Sequence, residues 1–244
     1  MKAVCLSSFV RRMICYILLL PGTLSTASLA VAETHATVLW YMEQEVGNDP
    51  WEVRYIITDR YLRSDQGNDS VDFMLMDRQT KQVYNVVEDS ETILNIDGQG
   101  EIGKRPDDLV IEVRDSHDSK APTLEGLDST TLELFAGGKL CYSSIVVEGL
   151  MEDTRKAFEL FADVLAVQQQ RSKGNTPKEY LTPCFLARYL YEADFDVALG
   201  LPILTWGPDG ERRQLLRYER DVPVNDALFV LPKNYEHFQP LASE

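Results

Sequence analysis

From residue 37 to residue 96 the chain alternates short apolar or aromatic runs with polar breaks about every ten residues, the pattern of consecutive strands. Residues 38–43 are apolar and aromatic, Gly47-Asn48-Asp49-Pro50 supplies a turn, and residues 51–62 read as one long strand rich in β-branched and aromatic side chains. Residues 71–76, 82–87 and 92–96 follow. Their separators, Asp77-Arg78-Gln79-Thr80-Lys81 and Glu88-Asp89-Ser90-Glu91, have the length of hairpin loops. Parallel strands would need crossovers of a dozen or more residues, so this is an antiparallel meander. Phe73-Met74-Leu75-Met76 is apolar on both faces, whereas a sheet with one solvated side alternates. Both surfaces must be covered there. Helices on one side with a second layer or the sheet's own curl on the other would do so, as would a ligand in an apolar cavity.

Residues 109–113 read as another strand, and 132–147 is ambiguous, broken by Gly137-Gly138 and strand-like at 145–147. Residues 148–171 carry the strongest helical period. Met151, Thr154, Ala157, Phe158, Phe161, Leu165 and Gln168 share a stripe, with Glu152, Arg155, Glu159 and Asp163 elsewhere. Gly174-Asn175 ends that helix, and a shorter one over 183–193 starts at Thr182-Pro183, an N-cap followed by Pro at the first helical position. The strand pattern returns at 201–206 and 214–221 around Gly207-Pro208-Asp209-Gly210, and a last element spans 227–231. Strands, then helices, then strands predict one α+β domain, a curved antiparallel sheet with a central helical insertion packed on it.

The first residues change the picture of compartment. Arg11 and Arg12 precede an apolar run at 13–20, Pro21-Gly22 breaks it, and Ala30-Val31-Ala32 offers the small residues that a signal peptidase needs before Glu33. Residues 1–32 are therefore expected to be a signal peptide and 33–244 the mature domain. The run is too short for a bilayer core, which takes about 20 apolar residues, so no stable membrane insertion is expected. Glu33 stands where a lipoprotein would need cysteine. Cleavage removes Lys2, Arg11 and Arg12 and no acid, which moves the formal charge from −15 to −18. Such a field repels phosphate backbones and excludes nucleic acid as an expected partner; it suits solubility, or a basic envelope protein.

Cys5 and Cys15 leave with the signal segment, so Cys141 and Cys184 remain. In an oxidising compartment an even pair reads as a disulfide. The competing reading is a reactive thiol at Cys184, at the start of the second helix. Other chemistry is sparse. His35, His117 and His237 have no partner at zinc-ligand spacing. Asp115-Ser116-His117-Asp118-Ser119 resembles a calcium loop but has Lys120 where the turn needs Gly. There is no Gly-x-Ser-x-Gly elbow, and Gly98-x-Gly100 leads into charge rather than a helix. Asp107-Asp108 and Asp194/Asp196 are the obvious carboxylate pairs for a hydrolase, but an acidic composition supplies such pairs by itself. Asn68-Asp69-Ser70 is a sequon that matters only in a eukaryotic secretory host. No cofactor, no metal site and no catalytic residue is expected.

Two stretches carry a resemblance. Tyr61-Leu62-Arg63-Ser64-Asp65, with Asp72-Phe73-Met74-Leu75-Met76-Asp77-Arg78 and Val83-Tyr84-Asn85-Val86, resembles the early meander of exported bacterial proteins related in architecture to the LolA/LolB lipoprotein carriers. Val222-Pro223 through Leu228-Phe229-Val230-Leu231-Pro232 to Tyr235 is similar to their closing strand. The resemblance implies a half-barrel-like antiparallel sheet around helices, with an apolar cavity that in the carriers receives acyl chains. It implies a periplasmic, non-enzymatic binding or carrier protein for a lipid, an acylated protein or another hydrophobic molecule. The alternative is an acidic structural or interaction module of the envelope. The acidity, the long middle section and its two cysteines depart from the carriers. From the residues themselves, Trp40, Met42, Trp51, Tyr55, Met74, Met76 and Trp206 are candidates to line a cavity, since flexible Met and broad aromatics suit irregular apolar ligands. The same seven would equally serve an ordinary core.

Overall fold

Alternation in the first strand sets the architecture. In β1 (Thr34–Gln44) Leu39 and Tyr41 belong to one hydrophobic cluster and Ala36 and Val38 to another, so both faces of the strand are buried. A computed structural model describes residues 33–67, 71–116 and 123–240. The expected signal segment, the sequon at 68–70 and residues 117–119 of the calcium-like loop lie outside the described residues.

After β1 come β2 (Trp51–Ile57), β3 (Tyr61–Asp65), β4 (Phe73–Asp77), β5 (Gln82–Val87), β6 (Thr92–Asp97), β7 (Ile111–Ser116), β8 (Ser129–Ala136) and β9 (Lys139–Val147). Helix α1 (Glu152–Ser172) and a short α2 (Pro183–Leu186) precede β10 (Leu201–Trp206), β11 (Arg212–Val224) and β12 (Glu236–Phe238). Among the described residues twelve strands form one open sheet, in the order β12-β6-β5-β4-β3-β2-β1-β11-β10-β9-β8-β7. Every pairing is antiparallel except β12 with β6. The class is α+β, although the helical insertion is smaller than the sequence predicts.

The two-faced β4 is explained by what covers it. On one side Met76 joins Leu39, Tyr41, Leu62 and Val83 beneath Ala157, Phe158 and Val164 of α1. On the other, Phe73 and Leu75 join Val38, Ile56 and Val86 beneath Phe229, with Leu228, Leu231 and Tyr235 packed alongside. The second cover is therefore the chain's own C-terminal segment rather than a second sheet layer. A third cluster unites Leu134, Tyr142 and Val146 with Ala187 and Phe195 at the other end of the sheet.

Four local expectations need correction. Residues 51–62 are two strands, because the Thr58 hydroxyl accepts from the amides of Arg60 (3.3 Å) and Tyr61 (2.9 Å) and closes a tight turn without Gly or Pro. The strand expected at 109–113 begins at Ile111 and extends to Ser116. The helix expected over 183–193 is one α turn followed by a π turn, Ala187–Tyr191. Residues 227–231 are not a strand: Asp226–Phe229 is a 3-10 turn, capped by Asn225 accepting from the Ala227 amide at 2.9 Å. The ambiguous 132–147 resolves into the β8–β9 hairpin, with Gly137 and Gly138 at φ 58° and 77° in its two-residue turn.

Helix α1 is seated on the meander by close approach at the end of β6. A Cβ on Gly98 would lie 2.5 Å from Val164 Cγ2 and 2.6 Å from the Lys81 carbonyl oxygen. Gly98→Ala is expected to lower stability by about 1–3 kcal/mol, read as a shift in the urea midpoint at unchanged slope. A shift below about 0.5 kcal/mol would mean that the helix can lift without loss.

Candidate functional site

Beside the helix-side core, the inner face of α1 and the segment that follows α2 stand apart from the sheet and leave a cavity of about 380 Å³. Its apolar wall comes from Phe158, Phe161, Ala162 and Leu165 of α1 and from Phe195 and Val197. Phe158, Phe161 and Leu165 fall on the stripe read from the helical period, and Ala162, four residues from Phe158, joins them at the cavity. Arg155 holds the far wall, donating to the Val197 carbonyl at 2.6 Å.

The polar end is built from five separate elements. Tyr142 of β9 donates to the Thr205 hydroxyl of β10 at 2.9 Å. Arg188, in the π turn, lies over the Tyr142 ring at 3.4 Å and pairs with Glu211 at 2.9 Å. Arg213 of β11 sits opposite Glu43 of β1 in the strand register, with Nε 3.3 Å from the Glu43 carboxylate. Its guanidinium lies over Tyr41 at 4.0 Å, Tyr55 at 4.8 Å and Phe158 at 5.1 Å, three rings that pack edge to face on one another. The Nη2 nitrogen is buried and has no hydrogen-bond partner among the described residues. Asp196 completes this end, its carboxylate accepting from the Val197 amide at 2.8 Å.

Burial dominates the electrostatics. It pushes the Asp196 carboxyl above the ordinary range, against the pull of Ser144, the Val197 amide and Arg213. It pushes the Tyr55 hydroxyl up to about 12 and that of Tyr41 further, so both rings stay neutral. Their hydroxyls donate to Glu43 at 3.1 Å and to the Pro202 carbonyl at 2.8 Å. Burial opposes the charge on Arg213, but the Glu43 carboxylate and the faces of the Tyr41 and Tyr55 rings stabilise it and the group stays cationic. This arrangement can hold an apolar body beside a polar end.

Of the seven residues singled out in the sequence, Trp51, Tyr55 and Met74 meet at an open depression of about 350 Å³ on the meander, and the other four lie apart from it. Tyr55 and Met76 are in the helix-side core, and Trp51 and Met74 pack against it. Trp40 packs with the opposite cluster, under the Arg217 guanidinium at 4.3 Å. Met42 and Trp206 are half-buried. None of the seven lines the α1 cavity. Cys141 and Cys184 are joined in a disulfide that pins α2 to β9. Asp196 of the acidic pairs lines the cavity while Asp194 does not, and Asp107 is paired with Lys104 at 2.8 Å.

Arg213 was missed because Arg212-Arg213 reads as ordinary strand-edge charge. The available signal was its two-residue spacing from Leu215, which puts it on a core-facing side. A larger depression, about 840 Å³, runs along Glu33, Asp59, Asp153, Asp221 and Asp226. It is an open acidic surface whose His35 is paired with Asp221 at 2.7 Å.

No protein-family model matches the chain, and no curated protein sequence does. Among solved structures, an uncharacterized conserved protein from Thermus thermophilus is 9% identical at a TM-score of 0.41, covering 85% of this chain and 91% of that one. PNGF-II in its C2 crystal form is 8% identical at 0.41, covering 84% of this chain and 31% of that one. The chain thus spans about a third of PNGF-II. Likenesses at this level carry no inference about ligand or activity.

Proposed function

We propose that this chain is a non-enzymatic periplasmic binding or carrier protein, with a half-barrel-like sheet and α1 enclosing an apolar cavity for a lipid, an acylated protein or another hydrophobic molecule. The observation that supports this reading is the α1 cavity itself. At about 380 Å³ it lies within the usual range for small-molecule sites, roughly 300–1,000 Å³, and has apolar walls with a few converging polar groups. The resemblance of the meander and closing segment to the LolA/LolB carriers points the same way. The acidic surface would keep such a carrier soluble.

Delipidated protein is expected to bind the neutral fluorophore N-phenyl-1-naphthylamine and to release it to acyl compounds. Ala162 lines the cavity from α1 and is half-buried, so Ala162→Trp should fill the space at little cost to folding. The variant is expected to lose at least about tenfold in fluorophore affinity while its stability moves by less than about 1 kcal/mol. Undiminished binding by a folded Ala162→Trp variant would remove the cavity from the proposal.

A further inference from the structure

We propose that the open edge of β7 pairs antiparallel with β7 of a second copy of this chain, about a two-fold axis through Val113. The inference goes beyond the binding reading above and does not rest on it, since β7 contributes nothing to the α1 cavity. β7 ends the sheet and, among the described residues, pairs with β8 alone. Residues 112–116 are exposed, and Val113 and Val110 are 43% and 58% exposed. An edge of this kind presents a row of unpaired N–H and C=O groups. Which residues supply them follows from the register. The Gly137 N–H donates to the Val110 carbonyl at 3.0 Å and Ile111 lies opposite Ala136, so the hydrogen bonds to β8 fall at residues 110, 112, 114 and 116. The backbone groups of Ile111, Val113 and Asp115 therefore point away from β8.

Charge selects the partner and the register. Outward groups meet outward groups with the most overlap when the two-fold axis passes through residue 112, 113 or 114. At 112 Glu112 faces its own copy, and at 114 Arg114 does; like charges directly opposite are destabilising. At 113 Glu112 of each copy lies opposite Arg114 of the other. The Arg114 guanidinium lies over the Phe135 ring at 4.0 Å and reaches Glu112 of its own strand at 2.7 Å, so the two copies would join four alternating charges on one face. On the other face Val113 meets Val113 and loses exposed apolar surface. Charges on an edge strand commonly prevent pairing, but these make β7 complementary to itself in the register where its outward groups overlap fully. The seam holds about six backbone hydrogen bonds and is short, which makes the dimer a weak one, with a Kd of about 10–100 µM.

The experiment is sedimentation velocity of the purified protein from about 5 to about 500 µM, in about 0.15 M salt, where screening beyond about 8 Å removes most of the net repulsion between two acidic chains. A reversible monomer–dimer equilibrium is expected. Arg114→Glu and Glu112→Arg should each weaken it by at least about tenfold, because each sets like charges opposite one another twice. An equimolar mixture of these two variants should dimerise at least as tightly as the wild type, and so should the charge-conserving exchange Glu112→Arg/Arg114→Glu. Val113→Pro removes the outward N–H at the axis without touching the bonds to β8, and should leave a monomer. Wild-type protein that stays monomeric at the highest concentration overturns the proposal. So does a dimer that the single charge variants leave intact, or a mixture that associates no better than its parts. Should a charge variant not fold, Val113→Pro decides: persistence of its dimer overturns the pairing. None of these outcomes bears on the carrier reading, which fluorophore binding tests separately.

Discussion

Replacing Asp65 with asparagine is expected to cost roughly 3–5 kcal/mol of folding stability, because it neutralises a buried anion that two arginines share. The Asp65 carboxylate has no exposed surface and accepts from Arg54 Nε and Nη2, both at 2.9 Å, from Arg63 Nε at 2.7 Å and from the Gly67 amide at 2.9 Å. Arg63 is only 3% exposed, so it cannot turn to water when its anion is lost. It also lies 3.8 Å above the Phe73 ring and donates to the Leu228 carbonyl at 2.7 Å. The damage should thus spread to the C-terminal segment that covers the second face of the sheet.

Acid should expose the same network. Burial alone would raise the Asp65 carboxyl, but the hydrogen bonds from Arg54, Arg63 and the Gly67 amide outweigh it and hold it below the ordinary range. A depressed folded value contributes stability that is fully present above the unfolded value of about 3.9 and is lost as pH falls through the folded one. Urea midpoints taken from pH 6 downward should show a steeper acid loss in the wild type than in Asp65→Asn. Arg63→Met/Asp65→Leu, which removes the anion together with the more deeply buried of its two arginines and leaves Arg54 with 16% exposure, should recover part of the deficit. A single substitution costing under about 1 kcal/mol would refute the network's role.

The sheet was legible wherever side-chain alternation and loop chemistry agree. Residues 73–76 announced two covered faces, and the 77–81 and 88–91 breaks announced hairpins, because a run of polar residues between β-branched runs leaves little else for the backbone to do. The β2–β3 turn was illegible because its closing device is one threonine hydroxyl, which looks the same in a strand. The 227–231 segment has strand composition yet folds as a 3-10 turn. Its apolar residues are spent on Phe73, Leu75 and Tyr61, which Phe229 stacks upon at 5.2 Å, and not on pairing with a strand.

The cavity was less legible than the sheet for a topological reason. Its apolar wall follows the α1 period, which the sequence displays, but its polar groups come from β9, the π turn, the 192–199 segment and β11. These meet only because β9, β10 and β11 are neighbours in the sheet. Tryptophan and methionine drew attention by size, whereas the cation beside this cavity is an arginine between Arg212 and Gln214. The register that sets it opposite Glu43, beside Tyr41, agrees with the inward side given by its spacing from Leu215.

Removing the Cys141–Cys184 disulfide, by Cys141→Ala/Cys184→Ala or by reduction, is expected to cost roughly 3–4 kcal/mol through the freedom regained by the unfolded chain. The bond spans 43 residues, which include all of α1. Its native consequence is local. Cys141 is buried in β9, and Cys184 lies in the single turn of α2, directly before the π turn that carries Arg188. Apart from the bond, this wall is held by the Arg188–Glu211 pair, by Ala187 and Leu190 and by the edge contact of Phe195 with Tyr142. A one-turn helix has too few internal hydrogen bonds to stand alone. Amide exchange across 183–199 should therefore rise on reduction well before exchange in β1–β6, and fluorophore affinity should fall with it. An unchanged exchange pattern with a stability loss below about 1 kcal/mol would show that packing alone holds the wall, and the cavity would then be indifferent to redox conditions.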